Sequence, residues 1–397
     1  MIGGSTGSFM GEIHRKAIQQ SGCLKLVCGA FGSTRNSSYE TGKMLKMPTR
    51  RVYGTYRDMF RRENMLPADE RMDFITIVTP NAMHYPIAMS ALDAHFPIFS
   101  EKPFTCNMDE AMNLTRKQRM VGLHYGVSMA YPSYPMVRKA REMVLSGEGI
   151  GALRKLVVSY ELGWMAPRLE NAGNRQAGWR ADPRRCGPAG CLADLCAHCF
   201  YLAEWLTGQK VSEVLGDLRP TVPGRVLDDD CTVIAKFESG LRGLFISSQI
   251  ASGSGSGLAF KAIGDKATME WSQQDPGLLR LRQVDGTETV LKADPPAQAI
   301  PVCCSPTPYG DNEPYIQALA GAYKAFANDL AESQGKAREP ATPAFYMTID
   351  EGLRSVAFVD AVLKNTAVPL PQVDETKPPP PPATKWEPLT IPEIPTL

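Results

Sequence analysis

Between Met72 and Met129 the chain alternates short apolar runs with amphipathic stretches, a rhythm that few folds accommodate. MDFITIV (72–78), Phe96 to Ser100 and Tyr125 to Met129 have the length and the β-branched or aromatic content of strands. Ala82 to Ala94 and Asn107 to about Arg119 have helical periodicity. Strand and helix alternating at this spacing argue for parallel strands joined by crossover helices. The expected fold class is therefore α/β, opening with a Rossmann-like doubly wound parallel sheet. Ligands of such sheets bind beyond the carboxyl ends of the strands. Thr79-Pro80-Asn81, with His84 just after it, and Glu101-Lys102-Pro103 fall at two such ends.

The chain begins MIGGSTGSFMG and continues EIHRKAIQQSG, a glycine-rich turn opening into a helix. Glycines let a backbone approach a pyrophosphate, and a helix N-terminus offers N–H groups and a positive dipole. Gly3, Gly4, Gly7 and Gly11 are the candidate dinucleotide contacts. LKLVCGAF (24–31) is the next expected strand. Only Met1 and Ile2 precede Gly3, so the first strand is expected to be truncated, reduced or replaced. Beyond the second strand, Ser33-Thr34-Arg35 contains no acid. A ribose 2′-OH is usually held by an acid there and a 2′-phosphate by Arg and hydroxyls, which favours NADP over NAD, with Ser33 and Arg35 as contacts.

After about Gly151 the pattern changes. LRKLVVSY (153–160) is a strand, and a polar loop covers 166–185. CTVIAKFE, LRGLFISSQI, GLAFKAIG, KATMEWS, LLRLRQV and ETVLKA then follow with turn pairs such as Ser239-Gly240 and Asp285-Gly286. Hairpins of this kind build an antiparallel sheet. The expectation is an α+β second domain, finished by helices over Tyr315–Ser333 and Phe345–Lys364. The boundaries are 1–130, 131–368 and a proline-rich tail or arm at 369–397.

A net charge of +1 gives no electrostatic case for nucleic acid or a charged membrane surface. No apolar run approaches the ~20 residues of a spanning helix, and Met1 to Gln20 lacks a secretory apolar core. A cytoplasmic protein is expected, its ten scattered cysteines reduced.

Cys186 to Gly208, CGPAGCLADLCAHCFYLAEWLTG, joins two possible chemistries. As a helix it places Asp194 and His198, four residues apart, on one face. Its Cys191-x4-Cys196-x2-Cys199 matches a plant-type iron–sulfur spacing. Cluster ligands of that type come from a loop that wraps the metal, whereas this segment has helical period. Cys303-Cys304 is too isolated to complete such a set. The cysteines are therefore assigned to packing and no metal is expected.

The glycine turn, Thr-Pro-Asn followed by His84, Glu-Lys-Pro at a strand end, Trp179-Arg180 and Gly-x-x-x-x-Asp-x-x-x-His together resemble the Gfo/Idh/MocA family (glucose–fructose oxidoreductase, inositol dehydrogenase, rhizopine catabolism). The resemblance implies an N-terminal nucleotide domain and a C-terminal domain with an open sheet that often makes oligomer contacts, here a dimer or tetramer. It implies NAD(P)-dependent redox chemistry on a sugar, inositol or related polyol. Lys102, Asp194 and His198 would form the catalytic set. Thr79, Pro80, Asn81, His84, Glu101, Lys102, Trp179 and Arg180 would join the glycines at the cofactor, and Tyr131 and Trp164 would border the substrate. The family's Asn after the sixth strand is replaced by Met129-Ala130-Tyr131, which leaves substrate identity open.

Hydride transfer at a carbinol carbon needs a proton moved at its oxygen. An imidazole suits that task near neutral pH, so His198 is favoured as acid/base over Lys102. Lys102 would then stabilise the developing alkoxide, while Asp194 binds a neighbouring hydroxyl or orients the imidazole. Two alternatives keep the same residues: a retained cofactor driving epimerisation or glycoside cleavage by transient oxidation, and a non-catalytic cofactor- or sugar-binding relative.

Overall fold

A computed structural model describes residues 1–254, 257–293, 313–335, 345–365 and 387–391. They form two compact units. The first contains the described residues of 1–134 and 312–353, and the second the described residues of 135–311 and 354–392.

The first unit begins with β1 (Ile2–Gly3), α1 (Phe9–Gln20), α2 (Arg35–Met44) and α3 (Tyr56–Glu63). Next come β2 (Ile75–Val78), α4 (His84–Asp93), β3 (Ile98–Ser100), α5 (Met108–Val121) and β4 (Tyr125–Val127). Strands β1 to β4 pair in parallel in that order. The four residues of β2, ITIV, are all buried, as suits a strand covered on both faces. Beyond β1 lie two parallel bridges, Ile2 to Ala30 and Gly29 to Val52. From edge to edge, the order is that of a doubly wound dinucleotide fold.

The first strand is present in reduced form, as the two residues of β1. Two residues suffice because both edges are used: the Gly3 N–H donates to Ala30 O at 2.9 Å, and the Ala30 N–H to Met1 O at 3.0 Å. The strand expected over 24–31 is cut to its bridging residues Gly29 and Ala30.

The second unit begins with α6 (Pro135–Ser146), β5 (Leu153–Glu161), α7 (Arg175–Arg180) and α8 (Pro183–Cys186). A π-helical turn (Leu192–Cys196) then runs into α9 (Ala197–Thr207). Strands β6 (Val211–Arg219), β7 (Asp230–Phe237), β8 (Arg242–Ser248), β9 (Gly257–Gly264), β10 (Ala267–Ser272), β11 (Leu278–Gln283) and β12 (Glu288–Lys292) follow. The sheet is open, ordered β12-β11-β10-β9-β5-β8-β7-β6-β14, where β14 is Glu387–Pro388. Every pairing is antiparallel except β5 with β8. The inward residues Leu156, Val158, Val233, Ala235 and Phe245 are fully buried, and α9 packs against β5 and β8.

Three expectations change. The helices assigned to the second domain begin in the first unit: α10 (Glu313–Ser333) packs on α1. Residues 347–348 form β13, an antiparallel edge strand on β4, before α11 (Ile349–Asn365) starts. The prolines of 369–386, like Cys303-Cys304, lie outside the described residues. The tail's described part, 387–391, pairs with β6, and the Leu389 N–H donates to Ser212 O at 2.8 Å.

Candidate active site

In the first unit the glycine turn lies between β1 and α1. A Cβ on Gly3 would fall 2.1 Å from Val78 O, and one on Gly11 would fall 2.4 Å from Gly4 Cα. Neither position admits a side chain, so the turn stays closely folded against the first turn of α1. Ser8 caps that helix by accepting the Gly11 N–H at 3.3 Å. This backbone cradle at a helix N-terminus fits a pyrophosphate. At the end of β2, the hydroxyl of Thr79 is buried with no hydrogen-bond partner among the described residues, a polar atom that a bound ligand would satisfy.

His84 braces these turns from beneath. Its Nδ1 lies 2.7 Å from Pro103 O and its Nε2 lies 3.0 Å from Thr79 O. Burial pushes this imidazole down in pKa, outweighing both carbonyls and the charge of Glu101. His84 is fully buried and engaged on both nitrogens.

Glu101, at the end of β3, is also occupied from within. Its Oε1 meets His14 Nε2 at 2.8 Å, and His14 Nδ1 meets the Tyr323 hydroxyl at 2.6 Å. That hydroxyl donates to Thr76 Oγ1 at 3.1 Å. Burial acts to raise the Glu101 carboxyl, but the hydrogen bond and charge of His14, with the charge of Lys102, hold it below the usual range. Lys102 follows directly, half-buried, before a cis peptide to Pro103. Sequence reasoning missed Tyr323. An aromatic residue on an amphipathic helix carries no mark of its distant partner.

At the second strand position Thr34 is spent as the N-cap of α2, accepting the Ser37 N–H at 3.2 Å, while Ser33 and Arg35 are exposed. Tyr131 is fully buried beside Tyr134 and Tyr315 in the first unit.

In the second unit the segment from Cys186 is not one helix. Its first turn ends at Gly187, whose φ of 103° breaks it. The chain resumes in the π turn that contains Asp194. Asp228 closes that end from 36 residues away, accepting the Gly190 N–H at 2.6 Å and the Leu192 N–H at 2.7 Å. Burial raises the Asp228 carboxyl to about 6 against the pull of those amides.

Asp194 and His198 are 5% and 4% exposed, deep enough that their contacts define them. Asp194 Oδ2 accepts from Arg180 Nε at 3.0 Å and from Gln249 Nε2 at 2.9 Å. Arg180 also donates to Gln176 Oε1 at 3.0 Å, and its guanidinium lies 4.2 Å from the Trp179 ring centre and 5.6 Å from that of Trp164. The Trp164 Nε1 is buried with no hydrogen-bond partner among the described residues. The Tyr160 ring meets the His198 ring edge-on at 5.3 Å. Arg180, expected at the cofactor, is thus engaged with Asp194. π turns are frequent at functional sites. This one carries a carboxylate paired with a guanidinium that lies beside two indole rings.

Residues 1–129 match the description "Oxidoreductase family, NAD-binding Rossmann fold", and residues 137–270 match the GFO/IDH/MocA C-terminal domain. The chain belongs to the Gfo/Idh/MocA family. Its first unit is that family's NAD-binding fold. Among solved structures, this family member is similar to an inositol dehydrogenase homolog from Azotobacter vinelandii complexed with NAD+. The match is 27% identical with a TM-score of 0.80, covering 91% of this chain and 92% of that one. A structure of an inositol dehydrogenase homolog from the same organism with NADH and myo-inositol is 25% identical, with a TM-score of 0.77 and 91% and 92% coverage. An uncharacterized oxidoreductase, YfiI, from Bacillus subtilis is 26% identical over 92% of this chain and 93% of its own.

Cys191, Cys196, Cys199 and Cys231 are free and buried. Among the described residues no group of three or more His, Cys, Asp or Glu side chains could hold a metal ion. No helix among them is long and apolar enough to cross a membrane.

Proposed function

We propose that this oxidoreductase moves a hydride between a nicotinamide dinucleotide and a secondary alcohol or ketone carbon of an inositol, sugar or related polyol. The observation that carries the reading is the buried Asp194–Arg180 group with His198, in a chain with an NAD-binding fold. The related complex with NADH and myo-inositol supports the substrate class.

The glycine turn, the Thr79-Pro80-Asn81 turn and the loop carrying Lys102 would hold the dinucleotide, which supplies the hydride acceptor or donor. His198 takes the hydroxyl proton in oxidation and returns it in reduction. By the family resemblance, Lys102 would stabilise negative charge developing on a substrate oxygen. Asp194 accepts a hydrogen bond from a neighbouring hydroxyl, and Trp164 presents an indole N–H and a ring face to the polyol. Assembly is assigned as a homo-oligomer on the family resemblance, which sedimentation would test.

A screen of NAD and NADP against monosaccharides, inositols and glycosides, read by nicotinamide absorbance, tests the reading. Turnover of a polyol that falls at least ~10²-fold in His198→Ala is the expected result. No turnover across the panel, or an unaffected His198→Ala enzyme, would sink it. Ser33 and Arg35 suit a 2′-phosphate, whereas the related complexes hold NAD+ or NADH. The ratio of NADP to NAD turnover, and its fall in Arg35→Ala, decides between them.

A further inference from the structure

Gln249 follows β8 directly and is 3% exposed, so its side chain is committed to what surrounds it. Its backbone is fixed at both ends: the N–H donates to Asp229 O at 2.8 Å, and the carbonyl accepts from the Met165 N–H at 3.1 Å. Its Nε2 donates to Asp194 Oδ2 at 2.9 Å, the same oxygen that accepts Arg180 Nε at 3.0 Å. An amide nitrogen can only donate, so this contact holds Asp194 in an acceptor role. Two donors approaching one oxygen from different elements fix the plane of the carboxylate more tightly than the ion pair alone.

We propose that Gln249 is a positioning residue for the reaction assigned above. It sets Asp194, together with Arg180, as the acceptor for a second substrate hydroxyl, the one next to the reacting carbon. The site then selects vicinal diols over substrates lacking that neighbouring hydroxyl. The inference rests on the functional reading above. A leucine would fill the same space and a glutamate would be nearly isosteric, so these substitutions separate filling from donating.

The charged and titratable groups that face the pair are Arg180 and Cys191 toward Asp194, with Asp228 and Asp229 on the adjoining backbone. All remain in both variants. Gln249→Leu removes one of the two donors to Oδ2. It is expected to raise KM for a vicinal-diol substrate about tenfold, with KM for the dinucleotide within about twofold, the size of one buried hydrogen bond. It should also erase the parent's discrimination against the matching deoxy substrate. Gln249→Glu sets two carboxyls at hydrogen-bond distance, which cannot both ionise without repulsion. A protonated glutamate can donate again, so activity relative to the parent should rise as pH falls from about 8 to about 6.

Equal diol and deoxy selectivity in parent and Gln249→Leu, with a flat pH ratio for Gln249→Glu, overturns the proposal. So does a parallel rise of both KM values tracking a lowered melting temperature. If Gln249→Leu fails to fold, the pH ratio of Gln249→Glu decides alone. A parent that turns over no polyol overturns the functional reading and this inference with it. An active parent with unaffected variants overturns only the inference.

Discussion

Glu101 in the first unit and Asp228 in the second are 6% and 9% exposed, and burial acts on both to favour the protonated form. In Glu101 the opposing forces win: His14 at 2.8 Å and the neighbouring Lys102 hold it below the usual range. In Asp228 they lose: two backbone amides at 2.6 and 2.7 Å leave it raised to about 6. The first unit therefore sets a hydrogen-bonded imidazole and the neighbouring Lys102 against the desolvation of Glu101, whereas the second anchors its π turn with a carboxyl raised to about 6.

The largest effect that would break this contrast comes from removing the charged partner. His14→Leu leaves Glu101 buried without its hydrogen bond, and breaking a buried pair typically costs about 3–5 kcal/mol. Urea unfolding at neutral pH should show a loss of that order. A change below about 1 kcal/mol would mean that Lys102 alone suffices for Glu101. For Glu101 the stability gained by ionisation is present above the unfolded carboxyl pKa of about 4.3, and is lost as pH falls through its lower folded value. His14→Leu should therefore destabilise less in strong acid than at neutral pH.

Asp228 has the opposite sign. Its folded value of about 6 lies above the unfolded 3.8, so its contribution is fully present below about pH 4 and lost as pH rises through 6. The gap between the folded and unfolded carboxyl corresponds to about 3 kcal/mol at most. Protection of the amides of 190–196 against hydrogen exchange, corrected for intrinsic rate, should fall between about pH 5 and pH 7.5 in the parent. In Asp228→Asn it should be flat and lower at pH 5, because the new amide nitrogen must face one of the two backbone donors. Equal pH dependence in parent and variant would remove Asp228 as its source.

How much of the molecule was legible in its sequence follows from the range of the interactions. Strands β7 to β12 were legible because turn pairs and alternation are local, although β6, VSEVLGDLR, escaped because its alternation is broken by charges. The strand-end turns and the Asp194/His198 spacing were legible for the same reason. The π turn was not, since the carboxylate that closes it lies 36 residues away at Asp228. Gln249 reads as an ordinary strand-end residue until its contact with Asp194, 55 residues distant, is seen. The two-residue β1 is too short for any periodicity and becomes a strand only through Ala30 and β2.

The smallest effect tests whether the first unit's pair needs its outer support. Tyr323 is fully buried on α10, with its hydroxyl between His14 Nδ1 at 2.6 Å and Thr76 Oγ1 at 3.1 Å. Burial raises the pKa of this phenol, so it stays protonated and available as a donor across the working pH range. Tyr323→Phe keeps the ring contacts with Phe99 and His14 and removes only the oxygen. The imidazole then keeps its bond to Glu101 and loses the one that fixes its other nitrogen. The two hydrogen bonds lost, to His14 and to Thr76, are worth about 1 kcal/mol net each, about 2 kcal/mol together. Urea unfolding should therefore show a loss below that of His14→Leu. A loss equal to that of His14→Leu would mean that the imidazole cannot hold Glu101 without the phenol. Buried charge in this unit would then be secured by the whole chain from Thr76 to Glu101 and not by the pair at its end.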